Sequence, residues 1–263
     1  NGLIDHFSAV DEVEWIACAD TKPVTPSLSD EPGTRTANMK RALERTGIPK
    51  SYEDYRKMLK EEELDIVLLC PENARHAEVV EAAAEYGIDM LVEKPMADNL
   101  SNALRMVRAV EKNQVNLMIN WPSTWSPAVR KVKELIEEGV IGDIWEIKDR
   151  NGSMGPLAYG QDITEAEKGA EWWHQSETGG GALLDYCCYG ACLSRWYLGK
   201  PAQAVQGLKA NLESLYGDAE DNAVINVRFE DAIAILEGTW STFHQGVITG
   251  PIVYGNQGTI VTD

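Results

Sequence analysis

The chain has 263 residues, 44% of them hydrophobic and 25% charged, and carries a net charge of −18. That length suits two ordinary domains or one large one, and nothing in the composition reads as disordered. No basic patch or tail stands out, so nucleic acid and anionic membranes are poor candidate partners; the charge suits a protein that handles a small neutral or weakly charged ligand.

Five cysteines (Cys18, Cys70, Cys187, Cys188 and Cys192) sit singly in apolar runs or bunch in one segment. Their number is odd and none has a C-x-x-C partner, which argues against a disulfide framework or a zinc site. Buried reduced thiols are the simpler reading, and with them a reducing, cytoplasmic location. No apolar run approaches the roughly 20 residues that a membrane span requires. The chain opens on Asn1 rather than Met, so the true start is expected upstream, with room for a targeting segment.

In chain order, VEWIACAD (13–20) reads as a buried strand ending in an acid, and PSLSDEPG (26–33) as a loop. TANMKRALERTG (36–47) predicts a helix closed by Gly47, and SYEDYRKMLKEEE (51–63) a helix capped by Ser51. DIVLLCP (65–71) is a continuous apolar run stopped by Pro71, the pattern of a parallel strand buried on both faces. Helices at 76–87 and 99–113 alternate with strands at 88–95 and 114–120. Strand and helix alternating with short connections predict a doubly wound α/β sheet, whose ligands lie beyond the carboxyl ends of its strands. Asp20, Cys70-Pro71, Glu93-Lys94-Pro95 and Asn120-Trp121 all stand at those ends, which predicts one ligand crevice.

After about residue 120 the rhythm changes. A helix (126–142) and a strand (143–152) precede an irregular stretch (153–178); then GGGALLDYCCYGACLSRW (179–196) reads as a helix. Five further strands with turns complete an α+β domain with a mostly antiparallel sheet. The boundary between a dinucleotide-binding domain (1–120) and a substrate-binding and oligomerisation domain (121–263) follows from this switch.

Four groups of residues carry chemistry. Asp20, at the end of a strand, is placed to accept hydrogen bonds from the adenosine ribose and to repel a 2′-phosphate, favouring NAD over NADP. Lys22 close by blurs that preference, and an ordinary turn aspartate is the competing reading. Lys94 precedes a proline that disfavours helix and holds it extended, a geometry suited to pointing an ammonium at a substrate hydroxyl or alkoxide. A solvated surface lysine is the alternative there. On a helix Asp185 and Tyr189 share one face one turn apart: Asp185 would orient a substrate hydroxyl, and a nearby ammonium would favour the Tyr189 phenolate. The alternative is an aspartate bonded to a backbone amide or a tryptophan indole, with Tyr189 as packing. EWWH (171–174) offers Trp172 and His174 as a face for a sugar or nicotinamide, or else as core aromatics; His174 has no second ligand at metal spacing. No G-x-G-x-x-G phosphate loop occurs in the chain, which leaves two readings: a fold that binds no dinucleotide, or one whose first strand and glycine turn are cut away.

The motifs C-P-E-N-A-R-H-A-E (70–78), E-K-P (93–95), G-x-I-G-D-I (139–144) and G-G-G-A-L-L-D (179–185), in this order, resemble those of the Gfo/Idh/MocA oxidoreductases, which include glucose-fructose oxidoreductase and inositol dehydrogenases. The resemblance covers nearly the whole chain. It implies a Rossmann domain followed by an α/β domain whose open sheet often forms oligomer contacts. It makes Lys94 the active-site lysine and Asp185 the aspartate of D-x-x-x-H, with Tyr189 where most members have histidine. Pro71, Asn73 and His76 match the loop beside the cofactor, Glu93 belongs to E-K-P, and Asp20 matches the ribose-binding acid. Trp172 matches a W-R pair in which Trp173 replaces the arginine. Measured against the family the chain is expected to be a fragment, truncated at both ends.

The expected function is therefore NAD(P)-dependent hydride transfer to or from a sugar, cyclitol or related polyol. Lys94, Asp185 and Tyr189 would be catalytic, with Asn120, Trp121 and His174 joining the substrate site. A non-catalytic NAD(P)-binding sensor and an NAD-dependent glycosidase are the alternatives.

Overall fold

The structure, a computed structural model, describes residues 2–20, 28, 34–157, 163–243 and 250–262. Lys22 and nearly all of the expected loop at 26–33 lie outside the described residues. In chain order the elements are α1 (Gly2–Phe7), β1 (Cys18–Ala19), α2 (Arg35–Thr46), β2 (Ser51–Tyr52), α3 (Tyr55–Glu61), β3 (Ile66–Leu69), α4 (His76–Glu85), β4 (Asp89–Glu93), α5 (Leu100–Asn113) and β5 (Leu117–Asn120). They continue with α6 (Pro127–Glu137), β6 (Ile144–Gly152), α7 (Glu165–Ala170), α8 (Cys188–Leu198), β7 (Ala204–Ala210), β8 (Asn222–Arg228), β9 (Ile233–Thr239), β10 (Ile252–Gly255) and β11 (Thr259–Val261). Two compact units result: residues 1–120 with 159–179, and residues 121–158 with 180–263.

In the first unit β1 pairs with β2, and β3, β4 and β5 form a separate sheet in that order, every pairing parallel. The parallel β/α alternation is as the sequence predicts, but VEWIACAD contributes only Cys18 and Ala19 to a strand. Tyr55, Met58 and Leu59 of α3, Val79 and Val80 of α4, Met90 and Val92 of β4 and Met106 of α5 form its core. The run 65–71 is not buried on both faces: Ile66 is exposed while Val67 and Leu69 are buried, because the core forms on one side of β3. Asp54, not Ser51, caps α3. The Asp54 side chain accepts the Arg56 N–H, and Ser51 is spent on pairing with Cys18 in β2.

The second unit is built on a six-stranded sheet in the order β11-β10-β6-β9-β8-β7, antiparallel except for β6 against β9. Val129 and Val132 of α6 and Leu193 of α8 pack with Ile147, Ala234, Leu236 and Val253 of the sheet. The expected irregular stretch 153–178 contains α7, whose Thr164 and Glu167 form a reciprocal capping box.

Candidate active site

In the first unit Asp20 follows β1, its N–H bonded to Tyr52 O at 3.1 Å. Its carboxylate meets Arg35, the first residue of α2. Arg35 Nε donates to Asp20 Oδ1 at 2.7 Å, and Nη2 donates to the same oxygen. The third guanidinium nitrogen, Nη1, donates to Glu72 Oε1. Glu72, between Pro71 and Asn73, has only 4% of its side chain exposed. Its Oε2 accepts no hydrogen bond among the described residues, and Arg75 Nη1 stands 3.8 Å from it. Asp20 Oδ2 likewise takes none of the Arg35 donors.

The loop after β3 is fixed from several sides. His76 is fully buried, with Nδ1 3.2 Å from Met96 O and Nε2 3.3 Å from Pro71 O. Both partners are acceptors and burial lowers the imidazole pKa, so a neutral ring donates to one of them at a time. Asn73 Nδ2 donates to Gly179 O at 2.7 Å. Gly179 has φ 80°, and a Cβ there would come within 2.7 Å of the Asn73 Cβ, so glycine is required by conformation and by space.

Glu93 ends β4. Its Oε1 accepts Asn120 Nδ2 at 2.9 Å, and its Oε2 accepts the Lys94 N–H at 3.3 Å. Lys94 precedes Pro95 through a cis peptide bond. Registers Leu69↔Val92 and Glu93↔Asn120 bring the ends of β3, β4 and β5 level, so Pro71, Lys94 and Asn120 belong to one edge. In the segment 171–174, Trp172 and Trp173 stack with centroids 3.8 Å apart, and His174 is 2% exposed.

In the second unit Asp185 lies in a π-helical turn, Leu183–Cys187, that runs into α8, where Tyr189 sits. The segment is held at its start by Glu220, whose Oε1 accepts the Leu183 N–H at 3.1 Å and whose Oε2 pairs with Lys209 Nζ at 2.9 Å. Gly181, at φ 109°, would place a Cβ 2.3 Å from Glu220 Oε1, which explains the second constrained glycine of the G-G-G run. Asp185 is half-buried, and its Oδ2 accepts the indole N–H of the 2% exposed Trp240 at 3.1 Å. Tyr189 meets Trp121 edge to face, centroids 6.4 Å apart. Trp121 also lines a cleft of about 830 Å³ with Cys188, Cys192, Arg130, Arg195 and Trp196. Behind α8, Asp149 is 4% exposed and contacts the helix at Gly190, where a Cβ would sit 2.8 Å from Asp149 Oδ2. Burial pushes its carboxyl pKa up to about 6 against the opposing hydrogen bond from Asn151 Nδ2 at 2.8 Å.

Arg35, Glu72, Trp240, Glu220 and Asp149 are the residues the sequence reading did not single out. Glu72 lies inside the C-P-E-N-A-R-H motif, where a carboxylate beside proline was the available signal. Arg35 reaches Asp20 and Trp240 reaches Asp185 only through the fold.

Parallel β/α units with polar strand ends, followed by a mixed sheet carrying Asp185 and Tyr189 on one helical segment, are the architecture of a two-part dinucleotide-binding oxidoreductase. Residues 33–121 match the oxidoreductase family with NAD-binding Rossmann fold, and residues 129–261 match the GFO/IDH/MocA C-terminal domain. The chain belongs to the GFO/IDH/MocA family. It is 31% identical to the D-xylose 1-dehydrogenase [NADP(+)] of Haloarcula marismortui over 65% of this chain and 46% of that protein. It is 26% identical to the myo-inositol 2-dehydrogenase of Thermotoga maritima over 90% of this chain and 67% of that protein. The chain thus spans about half the length of the first relative and two thirds of the second. The crystal structure of myo-inositol 2-dehydrogenase from Lactobacillus plantarum shares the fold with a TM-score of 0.78 at 18% identity, covering 98% of this chain and 71% of that one. Among the described residues no helix is long and apolar enough to cross a membrane.

Proposed function

We propose that this chain is the core of an NAD(P)-dependent oxidoreductase moving a hydride between nicotinamide and a hydroxyl-bearing carbon of a sugar, cyclitol or related polyol. The observation that carries this reading is the level row of Pro71, Lys94 and Asn120 at the carboxyl ends of adjacent parallel strands, in a chain of a dehydrogenase family. Asp20 fits the cofactor, because its uncommitted Oδ2 suits a ribose hydroxyl as donor. Asp20, Pro71, Asn73, His76, Glu93 and Trp172 form the cofactor side. When bound, the nicotinamide supplies the hydride acceptor or donor.

Lys94 holds its ammonium against the reacting hydroxyl oxygen and stabilises the alkoxide character that develops there. Tyr189 exchanges the hydroxyl proton, and Asp185, oriented by Trp240, accepts a hydrogen bond from a neighbouring hydroxyl. Asn120, Trp121 and His174 serve the substrate side. The names of the xylose and inositol relatives support a polyol as the substrate class. Incubating the chain with NAD⁺ or NADP⁺ and a panel of D-xylose, myo-inositol and levoglucosan, read at 340 nm, tests the proposal. Reduced cofactor is expected with at least one of them; cofactor binding with no turnover of any polyol would favour a sensor.

The second unit serves self-association. Leu208 of β7 is 80% exposed, and its cross-strand partner Val224, on the same face of the sheet, is exposed too. Contiguous exposed apolar side chains on a sheet mark an interface. Light scattering is expected to give a multimer, and Leu208→Glu a smaller species; a monomeric wild type would remove this part. A cytoplasmic location accords with the five free thiols.

A further inference from the structure

We infer that Glu72 sets the choice between the two nicotinamide cofactors, by sharing Arg35 with Asp20 and so keeping that guanidinium away from a 2′-phosphate. The inference rests on the proposed cofactor role of Asp20.

An acid at the end of a strand rejects a 2′-phosphate by charge, but Asp20 is already paired with an arginine, which on its own would cancel the repulsion and offer a phosphate receptor. What prevents this is the second carboxylate. Arg35 directs Nε and Nη2 to Asp20 Oδ1 and Nη1 to Glu72 Oε1, so each of its three nitrogens faces an acid. Two carboxylates face one guanidinium, and the cluster keeps a net negative charge. Arg75, the next cation, is already bonded to Glu78 at 2.8 Å and stands 3.8 Å from Glu72 Oε2. Glu72 is buried and has one carboxylate oxygen without a hydrogen-bond donor among the described residues, so it cannot welcome a further anion. Because both Asp20 contacts fall on Oδ1, Oδ2 is left to accept a hydrogen from a ribose 2′-hydroxyl. The same arrangement therefore favours the hydroxyl and rejects the phosphate. Neutralising Glu72 removes one of the two negative charges beside Arg35 and weakens the hold on Nη1, so a 2′-phosphate can compete for the guanidinium.

The test is calorimetric titration of the chain with 5′-AMP and with adenosine 2′,5′-bisphosphate, which differ only by the 2′-phosphate. Wild type is expected to prefer 5′-AMP about tenfold or more, and Glu72→Gln to lose about tenfold of that preference. Glu72→Asp keeps the charge and is expected to keep the preference, which separates a charge effect from a packing effect. Circular dichroism melts check that each variant folds. Equal or tighter wild-type binding of the bisphosphate, or an unchanged ratio in Glu72→Gln, would overturn the role of Glu72 while leaving the nucleotide site standing. Failure of both nucleotides to bind wild type would overturn the cofactor reading and this inference with it.

Discussion

In the first unit Asp20 and Glu72 close on one guanidinium. In the second, Asp185 accepts the indole N–H of Trp240 and Asp149 the side-chain amide of Asn151. Asp20 and Glu72 are each held by charge-assisted contacts to the same cation. Asp149, buried and met by a neutral amide, has its carboxyl pKa pushed up to about 6 by burial. The two units thus use acids for different ends. In the proposed function those of the first discriminate a ligand by its charge, while in the second Asp185 meets a substrate hydroxyl and Asp149 supports the helix from behind.

The contrast is broken most severely at Arg35. Replacing it by methionine strands two carboxylates, one of them almost fully buried, and is expected to cost about 3–5 kcal/mol of stability by urea unfolding. A loss below about 1 kcal/mol would place the pair among surface contacts.

Asp149→Asn tests the opposite case. The folded carboxyl titrates near pH 6 against an ordinary 3.8, so the folded state binds the proton more tightly than the unfolded chain. The stability Asp149 contributes is thus full below about pH 3.8 and is lost as pH rises through about 6. At pH 7.5 the variant is expected to be more stable by up to about 3 kcal/mol, with the gain vanishing near pH 4. The other titratable groups that feel this charge, Cys187 and Tyr197, both have raised pKa values and stay neutral across that window. Melts at the two pH values that show the same difference would refute the burial argument.

Trp240→Phe removes one neutral donor from Asp185 without removing the ring. It is expected to weaken polyol binding by about tenfold, equivalent to a charge-assisted hydrogen bond of roughly 1.5–3 kcal/mol partly replaced by water. The smallest effect belongs to an ordinary helix cap. Asn99→Ala, which removes the acceptor for the Asn102 N–H at 2.9 Å, should cost about 1 kcal/mol and leave cofactor choice unchanged.

Much of the fold was legible in the chain, because glycines and apolar periodicity mark where helices end and strands begin. Gly47 and Gly199 both close helices in the left-handed conformation. What the sequence hid was competition between equally good local signals. Ser51 and Asp54 both suit a cap, and strand pairing decided between them. The T-E-A-E capping box of α7 was lost in a stretch whose glycines and aromatics read as loop. At the site, Asp20, Lys94 and Asp185 stood out because each is a charge set in an apolar or strand-end context. Their partners did not. Arg35 looks like any first-turn residue, and Trp240 like any strand residue, until the fold carries them across 15 and 55 positions.

The most direct test of the proposed reaction is a double-mutant cycle on Lys94 and Asp185, one residue from each unit, read as kcat/KM for a polyol. General acid–base and electrostatic roles are each expected to be worth about 10²–10⁴-fold, so Lys94→Met and Asp185→Asn should both fall in that range. If they serve one reaction, the double variant should be little worse than the poorer single one. Losses that multiply, or an Asp185→Asn enzyme as fast as wild type, would contradict the proposed reaction.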